Sequence, residues 1–131
     1  MAKKKPKWKL GTDADFLTRE QVQPLIDKFV TTDETGYYGF FIRRGWYMLL
    51  EDLFEKITAI GWDGSLGQVK EKFGSLRVHV GKSNQDVYDI LHDYMVHSTI
   101  TCEICGEQGM SRNLDGVIVT LCDDHLKAAE V

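Results

Sequence analysis

Thr101-Cys102-Glu103-Ile104-Cys105-Gly106 and, after sixteen residues between the second and third cysteines, Leu121-Cys122-Asp123-Asp124-His125-Leu126 are the two segments that decide how this chain is read. Two cysteines three positions apart turn both sulfurs towards one ion if the chain between them makes a tight knuckle. Gly106 supplies the positive φ that such a turn needs. Cys122 and His125 are again three apart and share a face if a helix begins there, and Asp123 and Asp124 suit its first turn. Three thiolates and one imidazole form a closed tetrahedral set with no position left for water, so one structural Zn2+ held by Cys102, Cys105, Cys122 and His125 is the expectation. His97, five residues before Cys102, is the alternative fourth ligand, but the regular spacing favours His125. Reading Cys102 and Cys105 as a redox pair would require a helix N-terminus after a strand, and it leaves Cys122 and His125 unexplained.

Between the two ligand pairs, Asn113-Leu114-Asp115-Gly116 supplies turn residues and Val117, Ile118, Val119 and Leu121 read as a strand. A hairpin is expected there. Knuckle, hairpin and ligand-bearing helix in that order make a treble-clef-like module. The module is poor in large apolar residues, and metal binding would supply the folding energy that its core lacks.

Working towards the N-terminus, Ser83 is expected to cap a helix that ends near Ser98, with Asp86 completing the capping box and Val87, Ile90, Leu91, Tyr94 and Met95 on the buried face. Leu76, Val78 and Val80 alternate with Arg77 and His79 as a half-buried strand. Val69, Glu71 and Phe73 alternate more weakly before it, so a hairpin turning near Gly74 and a single bent strand both fit. Residues 61 to 67 read as a turn. Trp46, Leu49, Leu50, Leu53, Phe54, Ile57 and Ile60 recur every three or four residues, an amphipathic helix with Gly61 at its C-cap. A loop or short extended segment carries Tyr37, Tyr38, Phe40 and Phe41. Thr18 and Gln21 form a capping box ahead of Val22, Leu25, Ile26 and Phe29, with Pro24 in the first turns or causing a kink. The expected architecture is α+β: a flexible basic arm over 1–12, an α+β body over 13–98 with a helical N-terminal part and a small β element, and a zinc-binding module over 99–131.

The composition, 43% hydrophobic and 11% aromatic, is that of an ordinary globular protein. No apolar run reaches the roughly 18 residues that a membrane-spanning helix needs, and the lysine-rich N-terminus has no apolar stretch behind it as a secretory signal would. Three cysteines, an odd number, argue against a disulfide framework. The net charge of −4 hides an asymmetry. Lys3, Lys4, Lys5, Lys7 and Lys9 sit in the arm, and the eleven basic residues left face twenty acidic ones. An acidic body is not the footprint of a duplex-binding protein.

A treble clef also carries nucleases of the HNH type, which need histidine and carboxylate around a catalytic metal. Between Cys105 and Cys122 there is no histidine, and the only carboxylates are Glu107 and Asp115, so that reading is disfavoured. Candidate contact residues are Arg43 and Arg44 beside the aromatic cluster, Lys70, Lys72 and Arg77 around Gly74, and Arg112 between knuckle and hairpin. Glu71 dilutes the strip formed by Lys70 and Lys72.

Val69-Lys70-Glu71-Lys72-Phe73-Gly74-Ser75-Leu76-Arg77 taken with the two cysteine segments resembles a group of small uncharacterised proteins of bacteriophage and prophage genomes. These pair a Lys-Phe-Gly-x-Leu-Arg segment with a downstream Cys-x-x-Cys and Cys-x-x-His. The similarity spans roughly residues 40 to 127 and does not include the lysine arm. It implies a phage-type accessory protein in the cytoplasm of a bacterial host, and it brings no activity. The expectation is therefore a non-enzymatic, zinc-stabilised protein that binds a host or phage protein. A nucleic-acid-binding accessory factor, using the arm and the Arg/aromatic surface, is the alternative.

Overall fold

The computed structural model describes residues 15–33 and 40–130. Lys3 to Lys9 and the Tyr37–Tyr38 pair lie outside them. Helix α1, Arg19–Phe29, starts on a reciprocal capping box: the Gln21 N–H donates to Thr18 Oγ1 at 3.2 Å, and the Thr18 N–H to Gln21 Oε1 at 2.8 Å. Val22, Leu25 and Ile26 are its buried residues. Pro24 stays inside the helix on its exposed side, where its missing N–H leaves the Glu20 carbonyl without a helical donor. Strand β1 is the short Thr32–Asp33. A 3-10 turn, Arg44–Trp46, runs directly into helix α2, Tyr47–Ala59, which buries Leu50, Leu53, Phe54 and Ile57 as its period requires. Gly61, with φ of +113°, follows its end as a C-terminal stop.

Strands β2, Ser65–Lys72, and β3, Ser75–Val80, form an antiparallel hairpin, so the chain turns at Phe73-Gly74 and does not run on as a bent strand. Both turn residues have positive φ, +53° and +76°, the pattern of a type I′ turn that matches strand twist. β2 begins earlier than its alternation suggests, within the segment read as a turn. The cause is non-local: Ser65 and Leu66 pair in parallel with Thr32 and Asp33, and the register shifts between Leu66 and Gln68. The sheet order is β1-β2-β3. Helix α3, Gln85–Ser98, is capped by Asn84, whose Oδ1 accepts from the Val87 N–H at 3.0 Å, and not by Ser83. The cap falls one residue later than the Ser83–Asp86 pattern suggests, and the Ser83 N–H donates to Tyr88 Oη at 3.1 Å.

The C-terminal part comprises β4, Met110–Leu114, β5, Val117–Leu121, and α4, Asp123–Ala129. β4 and β5 pair antiparallel around Asp115-Gly116, again with both φ values positive. The fold is thus α+β, with four α-helices and two small sheets among the described residues, and the C-terminal order of knuckle, hairpin and helix is the expected treble-clef-like one. Among the described residues no helix is long and apolar enough to cross a membrane.

Two apolar clusters result. The larger joins α1, α2, the inner face of the β1–β2–β3 sheet and α3 around Trp46, Phe54 and Trp62, with Phe54 edge-on to Phe29 and Phe40. The smaller holds Cys102, Ile104, Leu114, Val119, Leu121 and Ala129. Polar bonds lock the two together. The Trp46 indole N–H donates to the Thr101 carbonyl at 2.9 Å, the Gly45 N–H to the Glu103 carbonyl at 2.9 Å, and the Thr120 hydroxyl to the Gly74 carbonyl at 2.7 Å. At Gly45 the chain must lack a side chain, because a Cβ there would lie 2.3 Å from the Cys102 carbonyl oxygen.

Candidate metal centre

The residues after α3 make three closing turn bonds and then reverse. The Cys102 N–H donates to the Glu107 carbonyl at 2.7 Å, and the Gly106 N–H to the Cys102 carbonyl at 2.9 Å, which together draw the knuckle shut. Gly106 adopts φ of +80°, as the spacing requires. On the other side of the hairpin Cys122 is the N-cap of α4, and its Sγ accepts from the His125 N–H at 3.4 Å. The same bond that starts the helix therefore brings His125 back over Cys122. Asp123 and Asp124 occupy the first turn.

Four potential ligand atoms, from Cys102, Cys105, Cys122 and His125, lie within 4.8 Å of one another. The Cys105 and Cys122 sulfurs are 3.8 Å apart, and His125 Nδ1 is 3.2 Å from Cys122 Sγ and 3.7 Å from Cys102 Sγ. A tetrahedral ion with bonds of about 2.3 Å to sulfur sets its sulfurs about 3.8 Å apart, so the cluster has the size of a single coordination shell. Burial grades across it, from fully buried Cys102 to exposed Cys105. The protonation of the thiols reflects their crowding. Burial, followed by the neighbouring Cys102 and Cys122 thiols, pushes Cys105 up to about 11 against the backbone N–H of Glu107. For Cys102 burial also acts upwards, but bonds from the backbone N–H groups of Cys122, Cys105 and Ile104 outweigh it and lower its thiol. Thiolates this close repel one another, and a bound cation would offset that repulsion.

His97, the alternative ligand, is outside this cluster. It lines a depression of about 450 Å³ beside the knuckle, with Arg44, Met48, Asp52 and Glu107. Glu103, between the knuckle cysteines, completes the support. Glu103 is fully buried, takes the Arg43 Nη1–H on Oε1 at 2.9 Å and the Thr120 N–H on Oε2 at 2.8 Å. Burial pushes its carboxyl up to about 7, while the Thr120 N–H and the Arg43 charge pull it down. Nothing in the local sequence marks this residue, since a glutamate inside a cysteine knuckle is ordinarily a solvated one.

The expected contact residues divide. Arg43 is removed from any surface: it is 8% exposed, pairs with Glu103, and lies with its guanidinium 4.5 Å from the Phe16 ring. Arg44 is exposed and touches Asp15 and the Ile104 carbonyl. Arg112 is internal to the module, where it donates to the Leu121 carbonyl at 3.2 Å and to Asp123 at 2.8 Å, tying β4 to the start of α4. Of the aromatic cluster, Phe40 fills the core and Phe41 is exposed. Lys70, Lys72 and Arg77 are brought onto one face of the β2–β3 hairpin by its register. Compared with known proteins, the chain matches no protein-family model, no curated protein and no solved structure.

Proposed function

We propose that this chain is a non-enzymatic binding protein of the phage accessory type, stapled by one structural Zn2+ on Cys102, Cys105, Cys122 and His125. The observation that carries the reading is the ligand set itself. Three soft thiolates and one imidazole, complete from this chain alone and of single-shell dimensions, suit zinc over hard cations such as calcium or magnesium. Four protein ligands around a tetrahedral ion leave no position for a substrate or an activated water. Zinc there supplies folding free energy, by holding knuckle and helix α4 on either side of the β4–β5 hairpin.

The hairpin between the ligand pairs supports the same reading. Its carboxylate, Asp115, sits at the exposed turn, and the segment between Cys105 and Cys122 holds no histidine beside it as metal-assisted phosphodiester hydrolysis requires. A binding role needs a partner. The acidic body disfavours a duplex gripped by a coat of positive charge, and the disposition of Lys70, Lys72 and Arg77 marks where contact would fall.

Metal analysis of the purified full chain tests the staple, and incubation with plasmid and single-stranded DNA in magnesium or manganese tests the absence of chemistry. One zinc per chain with no cleavage is expected. A chain that is fully folded with no metal, or one that cuts nucleic acid, would sink the proposal.

A further inference from the structure

We infer that the outward face of the β1–β2–β3 sheet is a platform for single-stranded nucleic acid. The inference rests on the reading of the chain as a binding protein and names its partner. In the β2–β3 register Gln68 faces His79, Lys70 faces Arg77 and Lys72 faces Ser75, while Val69 faces Val78 and Glu71 faces Leu76. Cross-strand partners share a face and successive residues alternate. Buried Val69 and Leu76 mark the second set as the core side. Lys70, Lys72, Arg77 and His79 therefore lie on the outer side, together with Ser75, which is itself buried at the hairpin end.

This removes the dilution that the linear sequence implies. Glu71 stands between Lys70 and Lys72 in the chain but on the opposite face of the strand, where its Oε1 accepts from the Gly74 N–H at 2.7 Å. Among the described residues, the ion pairs join Lys28 to Glu55, Arg43 to Glu103, Arg44 to Asp15, Lys56 to Asp52 and Arg112 to Asp123, and none engages the three outward cations. Arg77 is steadied from its Nε side by Ser75 Oγ at 2.9 Å.

Aromatic rings stand beside these charges. Phe41 adds to β2 on the side away from β3, beyond the reach of β1, its N–H donating to the Val69 carbonyl at 3.0 Å and its carbonyl accepting from the Glu71 N–H at 2.9 Å. That parallel pairing sets Phe41 opposite Lys70, so Phe41, Lys70 and Arg77 form one row across three chain segments. Phe41 is 47% exposed, and Phe73 at the hairpin tip is 70% exposed with the Lys72 ammonium 5.8 Å from its ring.

Rings in reach of unpaired cations on an open sheet face match the chemistry of an unstacked base with its flanking phosphates. A duplex keeps its base faces stacked and would use the cations alone. An apolar peptide would cover the phenylalanines and desolvate three charges without compensation. The acidic remainder of the body repels a polyanion elsewhere and confines contact to this face.

The test is fluorescence anisotropy on the full, zinc-loaded chain with a labelled single-stranded oligonucleotide of about 16 nucleotides, in DNA and RNA forms, and with a duplex of the same length. Salt-sensitive binding that prefers the single strand is expected. Phe41→Ala should weaken it at least about fivefold without changing the salt slope. Lys70→Gln and Arg77→Gln should each make the slope of log K against log salt shallower by about 0.7. All three positions are at least partly open to solvent, and unchanged thermal midpoints and metal content confirm folding. Two results overturn the proposal: no binding by the folded chain, or binding that is lost on deleting residues 1–9 and indifferent to these three substitutions. If the same three variants instead abolish capture of a protein partner, the nucleic-acid platform falls while the binding-protein reading stands; a folded, zinc-loaded chain that captures neither nucleic acid nor protein takes both down.

Discussion

Arg43 and Glu103 lie 60 residues apart in sequence, and their side chains meet at 2.9 Å in the interior, where they join the large apolar core to the metal module. Glu103 spends its second oxygen on the Thr120 N–H, so a single carboxylate ties the loop before α2, the cysteine knuckle and strand β5. The Cys102–His125 cluster is thereby seated on the body and is not a free appendage.

Removing one partner of this pair leaves the other buried and uncompensated. Glu103→Ala is expected to lower stability by about 3–5 kcal/mol in urea denaturation. The double variant Arg43→Met, Glu103→Leu should cost clearly less than the single one, because no charge is stranded. Equal losses would show that packing, not charge, governs the site.

Cys102→Ser removes the most buried ligand. Zinc content should fall, and amide exchange should rise across β4, β5 and α4, while α2 around Leu50 and Ile57 keeps its protection. A strong chelator should produce the same pattern in the unsubstituted chain. Undiminished protection over residues 117–125 in the metal-free protein would contradict a structural role for the ion.

The start of α3 separates a local reading from the folded one. Asn84→Ala loses the acceptor for the Val87 N–H and the bond from its Nδ2 to the Ile60 carbonyl at 3.1 Å, and should cost about 1 kcal/mol. Ser83→Ala should be close to neutral. A larger effect at Ser83 than at Asn84, read from denaturation midpoints, would reverse the cap assignment.

Gly45→Ala tests the close approach of body and knuckle. Its Cβ would meet backbone atoms of Cys102 and Glu103 at 2.3 to 2.5 Å, and backbone cannot rotate away as a side chain can. A loss of about 3 kcal/mol is expected, with weakened metal retention in a chelator competition, since overpacking here separates the knuckle from its seat. Wild-type stability in this variant would mean that the two parts are not held this tightly.

Much of this arrangement is written locally. The period of three to four residues from Trp46 to Ile57 is a property of helix geometry, and the Thr18–Gln21 box needs only four residues to close. The three-residue spacings within Cys102–Cys105 and Cys122–His125 similarly fix which side chains can converge, because a knuckle and a helix turn each span that distance. Turn chemistry at Asp115-Gly116 set the second hairpin.

Tertiary structure alone decided the rest, because it depends on chain segments far apart. β2 starts at Ser65 only because Thr32 and Asp33 arrive beside it. The choice between hairpin and bent strand at Gly74 was made by pairing of β2 with β3, and that register sorted Lys70, Lys72 and Arg77 to one face and Glu71 to the other. Arg43, exposed by every local criterion, is buried because Glu103 reaches it across 60 residues of chain. The sequence by itself determined the helices and the pairing of Cys102 with Cys105 and of Cys122 with His125, which short-range geometry specifies. Which charges are spent inside and which remain outside was settled only when the segments packed, since burial is a property of neighbours that no local pattern carries.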